Sequence, residues 1–262
     1  MSCLVDAHVH LHSFFPFETV LEAAARNFTA AAQDLHLGQP VTGVLMLTEC
    51  AGINAFARLA EGRLSQWQIE ATREPVALRA WSAGGALLLI ISGRQIVTAE
   101  GLEVLALGAH DVFPDGRATE QTIADVVTAG ALAVLPWAFG KWSGRRGAIV
   151  RRLAKDQEAA PCLCFGDNGG RPWLSVRPRL LGFAERCGRL VLPGSDPLPV
   201  SGEAGKVGRF GFLARHSIDP NAPFSALRTW LMAQDRSPQG YGRLERPDVF
   251  VRRQIAMRRR KR

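Results

Sequence analysis

The stretch Val5–His12, VDAHVHLH, constrains this chain most, because Asp6, His8, His10 and His12 follow one another at strict two-residue spacing. In an extended strand successive side chains point to opposite faces, so these four share one face while Val5, Ala7, Val9 and Leu11 share the other. A helix would scatter them. An apolar face that packs under helices, with a polar face turned inward, describes the opening strand of a barrel. Two imidazoles one residue apart can reach one ion, and three imidazoles with a carboxylate are costly to bury without one. A lone strand histidine reads more simply as a hydrogen-bonded core residue; the run Asp-x-His-x-His is what points to a metal.

The 262 residues, 47% of them hydrophobic, suffice for one large core, and α/β barrels reach this length undivided. A formal charge of +8 raises nucleic acid or a membrane surface as partners. However, residues 252–262 hold seven basic side chains and no acid, which leaves only +1 for the remainder. The basicity is that of a tail, read either as a solvated helix face or as a contact for acidic surfaces, and nucleic acid is not the expected partner. Five cysteines without a C-x-x-C pair argue against a disulfide framework and fit a reducing, cytoplasmic setting. The apolar run Ala83–Ile91 is too short to span a bilayer, and no basic-then-apolar leader opens the chain. The expectation is a soluble protein with a small-molecule substrate, no membrane partner and an open oligomeric state.

After the first strand, the alanine-rich residues 17–38 form a helix that ends at Gly38 and Pro40. VTGVLMLTE is a buried strand, followed by a helix from about Ile53 to Leu64. VALRAW, ALLLIISG, RQIVT and LEVLALG are short β-type runs punctuated by glycine. Alternation then returns: a helix at 120–128, strand ALAVLPW, a basic helix at 145–155, strand PCLCFG, a helix at 179–186, and strand RLVLPGSD. GRFGFLA is one more strand before helices near 224–234 and from Pro247, a residue suited to a first helical turn. Alternating strands and helices predict an α/β fold with a parallel sheet, and about seven or eight strands predict a single-domain TIM-like barrel. Reactive groups of such folds collect at the carboxyl ends of strands. The histidines after Val5, then Glu49 and Cys50, Asp167 and Asn168, and Ser195 and Asp196 all occupy that position.

In order and spacing these pieces resemble the polymerase and histidinol phosphatase (PHP) superfamily of metal-dependent phosphoesterases. VDAHVHLH resembles its opening His-x-His. LMLTEC is similar to the second motif, usually ending Thr-Asp-His, and ISGRQIVTAEGLEVLALG to the third, usually Gly-x-Glu-Ile before a His-Leu-Leu-like strand. AVLPW resembles the usual Ala-His-Pro, and LPGSDPL the usual Gly-Ser-Asp-Ala-His. The resemblance spans about Val5–Ala214 and implies a PHP-like barrel over residues 1–220, with residues 221–262 as C-terminal helices packing on it and ending in the basic tail.

Where the family carries histidine, this chain has Cys50, Glu103, Leu135 and Leu198, and where it carries a bridging glutamate, Gln95. His8, His10 and Asp196 match. A neutral amide lacks the charge to bridge two ions and leucine ligates nothing, so the resemblance implies one divalent ion, zinc, manganese or iron, rather than two or three. His8, His10 and Asp196 are its expected ligands, with Gln95, Glu103 or Glu49 as a fourth. Asp167 or Glu49 is the expected general base. Lys141, Arg145 and Arg146 follow a barrel strand, and Lys206 and Arg209 follow the Gly-Ser-Asp turn; these read as phosphate contacts or as solvated surface. His110 and His216 have no assigned role. The expected function is a metal-dependent phosphoesterase of reduced metal content, the alternatives being a PHP-like module that binds without catalysis and a nucleic-acid role carried by the tail.

Overall fold

The computed structural model describes residues 2–38, 40–158, 160 and 162–260. Strand β1 (Cys3–Val9) leads to helix α1 (Phe17–Asp34), strand β2 (Thr42–Leu47) and helix α2 (Ala55–Glu61). A meander follows, β3 (Trp67–Ala71), β4 (Ala77–Ser82) and β5 (Leu87–Ile91), and then β6 (Gly93–Val97) and β7 (Glu103–Leu107). Next come α3 (Thr119–Thr128), β8 (Leu132–Pro136), α4 (Gly144–Lys155), β9 (Cys164–Asn168), α5 (Arg179–Arg186) and β10 (Val191–Gly194). A 3-10 turn at Glu203–Lys206 precedes β11 (Phe210–Ala214), α6 (Pro223–Met232), β12 (Gly240–Gly242) and α7 (Pro247–Arg260).

Alanine content makes α1 helical, and Val20, Leu21, Ala24 and Phe28 give it a continuous buried stripe. Phe28 lies so close over β2 that a Cβ on Gly43 would stand 2.2 Å from its ring; only glycine permits that approach. The core has three parts. One lies between α1, α2 and the sheet containing β1; one lies between the strands of the two sheets and is closed by Phe224, Leu227 and Leu231 of α6; the third lies under α3, α4 and α5.

The expected closed barrel is not found. Among the described residues the strands pair into two open sheets, one of seven in the order β12-β11-β1-β2-β5-β4-β3 and one of five in the order β10-β9-β8-β7-β6. The cause is at β1, which pairs with β2 along one edge and through Cys3–Val5 with β11 along the other, so β10 comes alongside it with no ladder. Single links stitch the sheets instead: the Asp196 N–H donates to the His8 carbonyl at 2.8 Å, and Glu49 bridges to Arg94. The sheets are also mixed rather than parallel, since β3, β4 and β5 form an antiparallel meander and β7 runs antiparallel to both β6 and β8. WQIEA and GYG, which carry no strong strand signal, are strands β3 and β12.

Candidate metal centre

The alternation expected along the first strand holds only in part. The register of β1 against β2 shifts between Asp6 and Val9, so Leu4 and Val9 fall in the same core under α1 although they stand an odd five positions apart. Asp6 is displaced from the histidines by this shift. Its carboxylate accepts from the backbone N–H of Ser195 and of Gly208, both at 2.8 Å, and of His8 at 3.3 Å. Burial pushes Asp6 up to about 6 against these donors. It clamps the turn after β10 to β1.

That clamp sets the third member of the triad. Gly194 stands where a Cβ would meet the Cβ and N of His8 at 2.4 Å, which brings β10 flush against β1. The chain then turns through Asp196 in a left-handed conformation, φ 46°, and its carboxylate faces the two imidazoles. His8 Nε2 and His10 Nε2 are 3.1 Å apart, and Asp196 Oδ1 is 3.5 Å from the first and 3.4 Å from the second. Bonds of roughly 2.0–2.2 Å in a tetrahedral set separate ligand atoms by roughly 3.3–3.6 Å; both distances to Asp196 fall in that range and the imidazole pair lies just under it, so a small divalent ion needs only a slight opening of the two rings. Burial, then the neighbouring His8, pushes the His10 imidazole down to about 3 and keeps it in the neutral, ligating form. Desolvation raises the Asp196 carboxyl, but His8, His10 and the Asn168 amide outweigh it and leave it lowered, hence ionised. Asn168 donates its side-chain N–H to Asp196 Oδ2. The expected convergence of His8, His10 and Asp196 is therefore present.

The triad opens into a cavity of about 360 Å³. His10, His12, Asp196 and Asn168 form one side, and Trp137, Phe139 and Leu198 give it an apolar wall. His12 lies beyond the strand, its Nε2 2.9 Å from the Pro197 carbonyl and its ring stacked on His10 at 5.6 Å. Gln95, Glu103 and Lys141 also line the cavity, but they face one another: the Gln95 amide donates to Glu103 at 3.4 Å and to Cys50 Sγ at 3.8 Å, and Lys141 is ion-paired to Glu103.

The other expected residues lie elsewhere. Glu49 accepts from the Phe56 N–H at 2.6 Å and from Arg94 at 2.8 Å, so both oxygens are engaged at the start of α2. Asp167 is held by Arg171 through two bonds of 3.0 and 3.1 Å, both residues being buried. Neither carboxylate is among the described residues lining the cavity. Arg145 and Arg209 are exposed and Arg146 donates to the Gly140 carbonyl; none of the three lines it. Leu198 does line it, but Leu135 is fully buried in the core beneath α3, α4 and α5, on the face of β8 turned away from the site.

Spacing arguments missed the far wall. There Lys206 and Arg253 share the buried carboxylates of Glu203 and Glu245, with Lys206 at 3.3 Å and Arg253 at 2.5 Å from Glu203. Against desolvation, these two cations hold Glu245 down at about 2. The sequence singled out Lys206 only together with Arg209 and held Arg253 only in the basic tail, with no indication that residues 203, 206, 245 and 253 meet.

No family model matches the chain, and no curated protein matches its sequence. Among solved structures the fold is similar to PsfC from Pseudomonas syringae PB-5123, with TM-score 0.57 and 17% identity over 100% of this chain and 99% of that one. It is also similar to the novel lesion-specific endonuclease PfuEndoQ from Pyrococcus furiosus, with TM-score 0.50 and 12% identity over 87% of this chain and 55% of that one. At these identities the likeness is one of fold. No helix among the described residues is long and apolar enough to cross a membrane.

Proposed function

We propose that this chain is a metal-dependent hydrolase acting on a small phosphate ester through a single divalent ion of the zinc, manganese or iron kind. The observation that carries the proposal is the facing of three ligand atoms, His8 Nε2, His10 Nε2 and Asp196 Oδ1, 3.1–3.5 Å from one another beside a cavity large enough for a small molecule. The motif resemblance to PHP phosphoesterases and the fold shared with an endonuclease support the same class. When bound, such an ion supplies Lewis acidity toward water and a phosphoryl oxygen. Asn168 orients Asp196 by donating to its second oxygen. Glu103, which lines the cavity as Asp167 and Glu49 do not, takes the proton-accepting role, and Lys141, paired to it, is the cation nearest that carboxylate.

A binding role without chemistry is favoured by one feature: Gln95, Cys50 and Leu198 line the cavity where ligands of further ions would stand. One experiment separates the two. Metal-depleted protein is reloaded with zinc, manganese or iron, analysed for metal, and assayed against phosphomonoesters and diesters with the depleted protein beside it. One equivalent of metal with turnover that Glu103→Gln lowers at unchanged stoichiometry supports the hydrolase. One equivalent without turnover supports the binding module, and no bound metal overturns both metal-centred readings.

A further inference from the structure

Helix α7 lies against the cavity with one face. Phe250, Arg253 and Gln254, spaced i, i+3 and i+4, line it, whereas Val251, Arg252 and Ile255 on the other side are exposed. Two contacts seat the helix. Arg253 enters the pair of buried carboxylates Glu203 and Glu245, which are 0% and 4% exposed. Phe250 meets Phe139, on the segment after β8, edge to face at 5.9 Å, so a ring from α7 and a ring from the body close over the same opening. The chain entering the helix is tied down as well: the Glu245 N–H donates to the Arg171 carbonyl at 3.0 Å, and the Trp173 N–H to the Glu245 carbonyl at 2.8 Å.

A guanidinium shared between two desolvated carboxylates, themselves shared with Lys206, is held far more firmly than an exposed ion pair, because leaving would strand buried charge. A polymeric phosphodiester needs a continuous groove in which to lie. Here Phe250, Arg253 and Gln254 of α7 take up one wall of the cavity, and the inward cation Arg253 is already paired with two carboxylates.

We propose that α7 is the size-selecting roof of this cavity: seated by Arg253, it leaves the triad open to small esters and closed to polymeric strands. The proposal rests on the hydrolase reading only for what the site acts on; the closure itself is independent of catalysis. Cys50 provides the test, because it lines the cavity and is half-buried, whereas the half-buried Cys162 and Cys187 lie outside the cavity lining. The full-length, metal-free protein is treated with N-ethylmaleimide or with the same maleimide on a long polyethylene-glycol chain, and modification is followed thiol by thiol by peptide mass spectrometry.

In the unmodified sequence, Cys50 is expected to react with N-ethylmaleimide but at least tenfold more slowly with the polymer reagent, relative to Cys162 and Cys187. Arg253→Ala should raise the polymer rate at Cys50 about tenfold with the reference thiols unchanged, and Phe250→Ala should raise it less. If Arg253→Ala also exposes the buried Cys3 and Cys164, the variant has unfolded and Phe250→Ala decides. Equal access of both reagents to Cys50 in the parent, or no change in either folded variant, overturns the proposal. A failure to bind metal strikes the hydrolase reading and leaves this result standing, and the reverse holds too.

Discussion

Two clusters of buried polar groups face the same cavity, and they are opposites in charge logic. On one side, His8, His10 and Asp196 bring a carboxylate against two imidazoles, of which His10 is held neutral, so that three ligand-type atoms converge. On the other, Glu203 and Glu245 meet Lys206 and Arg253, two anions against two cations. The first arrangement could hold an ion from outside; in the second the chain supplies its own counter-charges. Similar burial and similar residue types thus yield a candidate binding centre in one place and a latch in the other, and what differs is whether the chain supplies the counter-charge.

The contrast breaks most visibly in stability. Glu245→Ala leaves Lys206 and Arg253 with one carboxylate between them, and removing one partner of a buried charge cluster costs about 3–5 kcal/mol. Asp196→Ala in metal-free protein should cost about 1 kcal/mol or less, since it removes no partner of a buried cation. Urea denaturation measures both, and equal losses would erase the distinction. Acid sharpens it. Glu245 is at about 2 in the folded chain against an ordinary 4.5, so the unfolded state binds the proton first as pH falls. The stability from Glu245 is therefore full above about pH 4.5 and lost progressively toward pH 2, a slope that Glu245→Gln should flatten.

Metal affinity gives the mirror image. His8→Ala or Asp196→Ala should weaken zinc binding by more than about 100-fold, beyond what outer partners usually contribute, whereas folded Phe250→Ala should stay within a few-fold. Isothermal titration reads both, and a loss at Phe250 matching that at Asp196 would show that the two sides are not separate.

How far this was legible in the sequence follows the same division. His8 and His10 could be paired because strand periodicity is local, and Asp196 joined them only because LPGSDPL, last in the order of motifs, resembles the family's Gly-Ser-Asp. The same periodicity misplaced Asp6, because a shift of register against the neighbouring strand cannot be read from one strand by itself. The closed barrel failed for a related reason: strand count does not show that β1 has given its second edge to β11. Leu135 looked like a lost ligand because it precedes a proline, yet strand phase turns it under the helices. Glu203, Glu245 and Arg253 were invisible as a set, since their meeting depends on a loop and a helix closing over the cavity from different parts of the chain.

Asn168 tests the rim of the triad. It donates to Asp196, and loss of a partner that orients a ligating carboxylate usually costs about 10–100-fold in affinity. Asn168→Ala should fall in that range for zinc, with Asn168→Asp worse, because a second carboxylate beside Asp196 removes the donor and adds repulsion. An unchanged affinity in a folded Asn168→Ala protein would mean that the backbone alone sets Asp196.

Gln95 should give the smallest effect, for reasons that oppose one another. Replacing its amide with a carboxylate adds negative charge to the cavity holding the triad, which favours a cation there. However, the amide donates to Glu103 at 3.4 Å and to Cys50 at 3.8 Å, and it is Cys50, 4.0 Å from His10 Nδ1, that stands nearer the triad. Gln95→Glu therefore sets two carboxylates face to face, with Lys141 already paired to Glu103. Part of the added charge is offset by Lys141. Zinc affinity should rise by less than about tenfold at low ionic strength and by less still in salt, which screens charges that do not touch. The double variant Gln95→Glu, Lys141→Met separates the contributions: with the competing ammonium gone, the gain should grow if the new carboxylate acts on the ion through space. A gain of more than about 100-fold in the single variant would mean that the introduced carboxylate reaches the ion directly, and the candidate centre would then have four protein ligands rather than three.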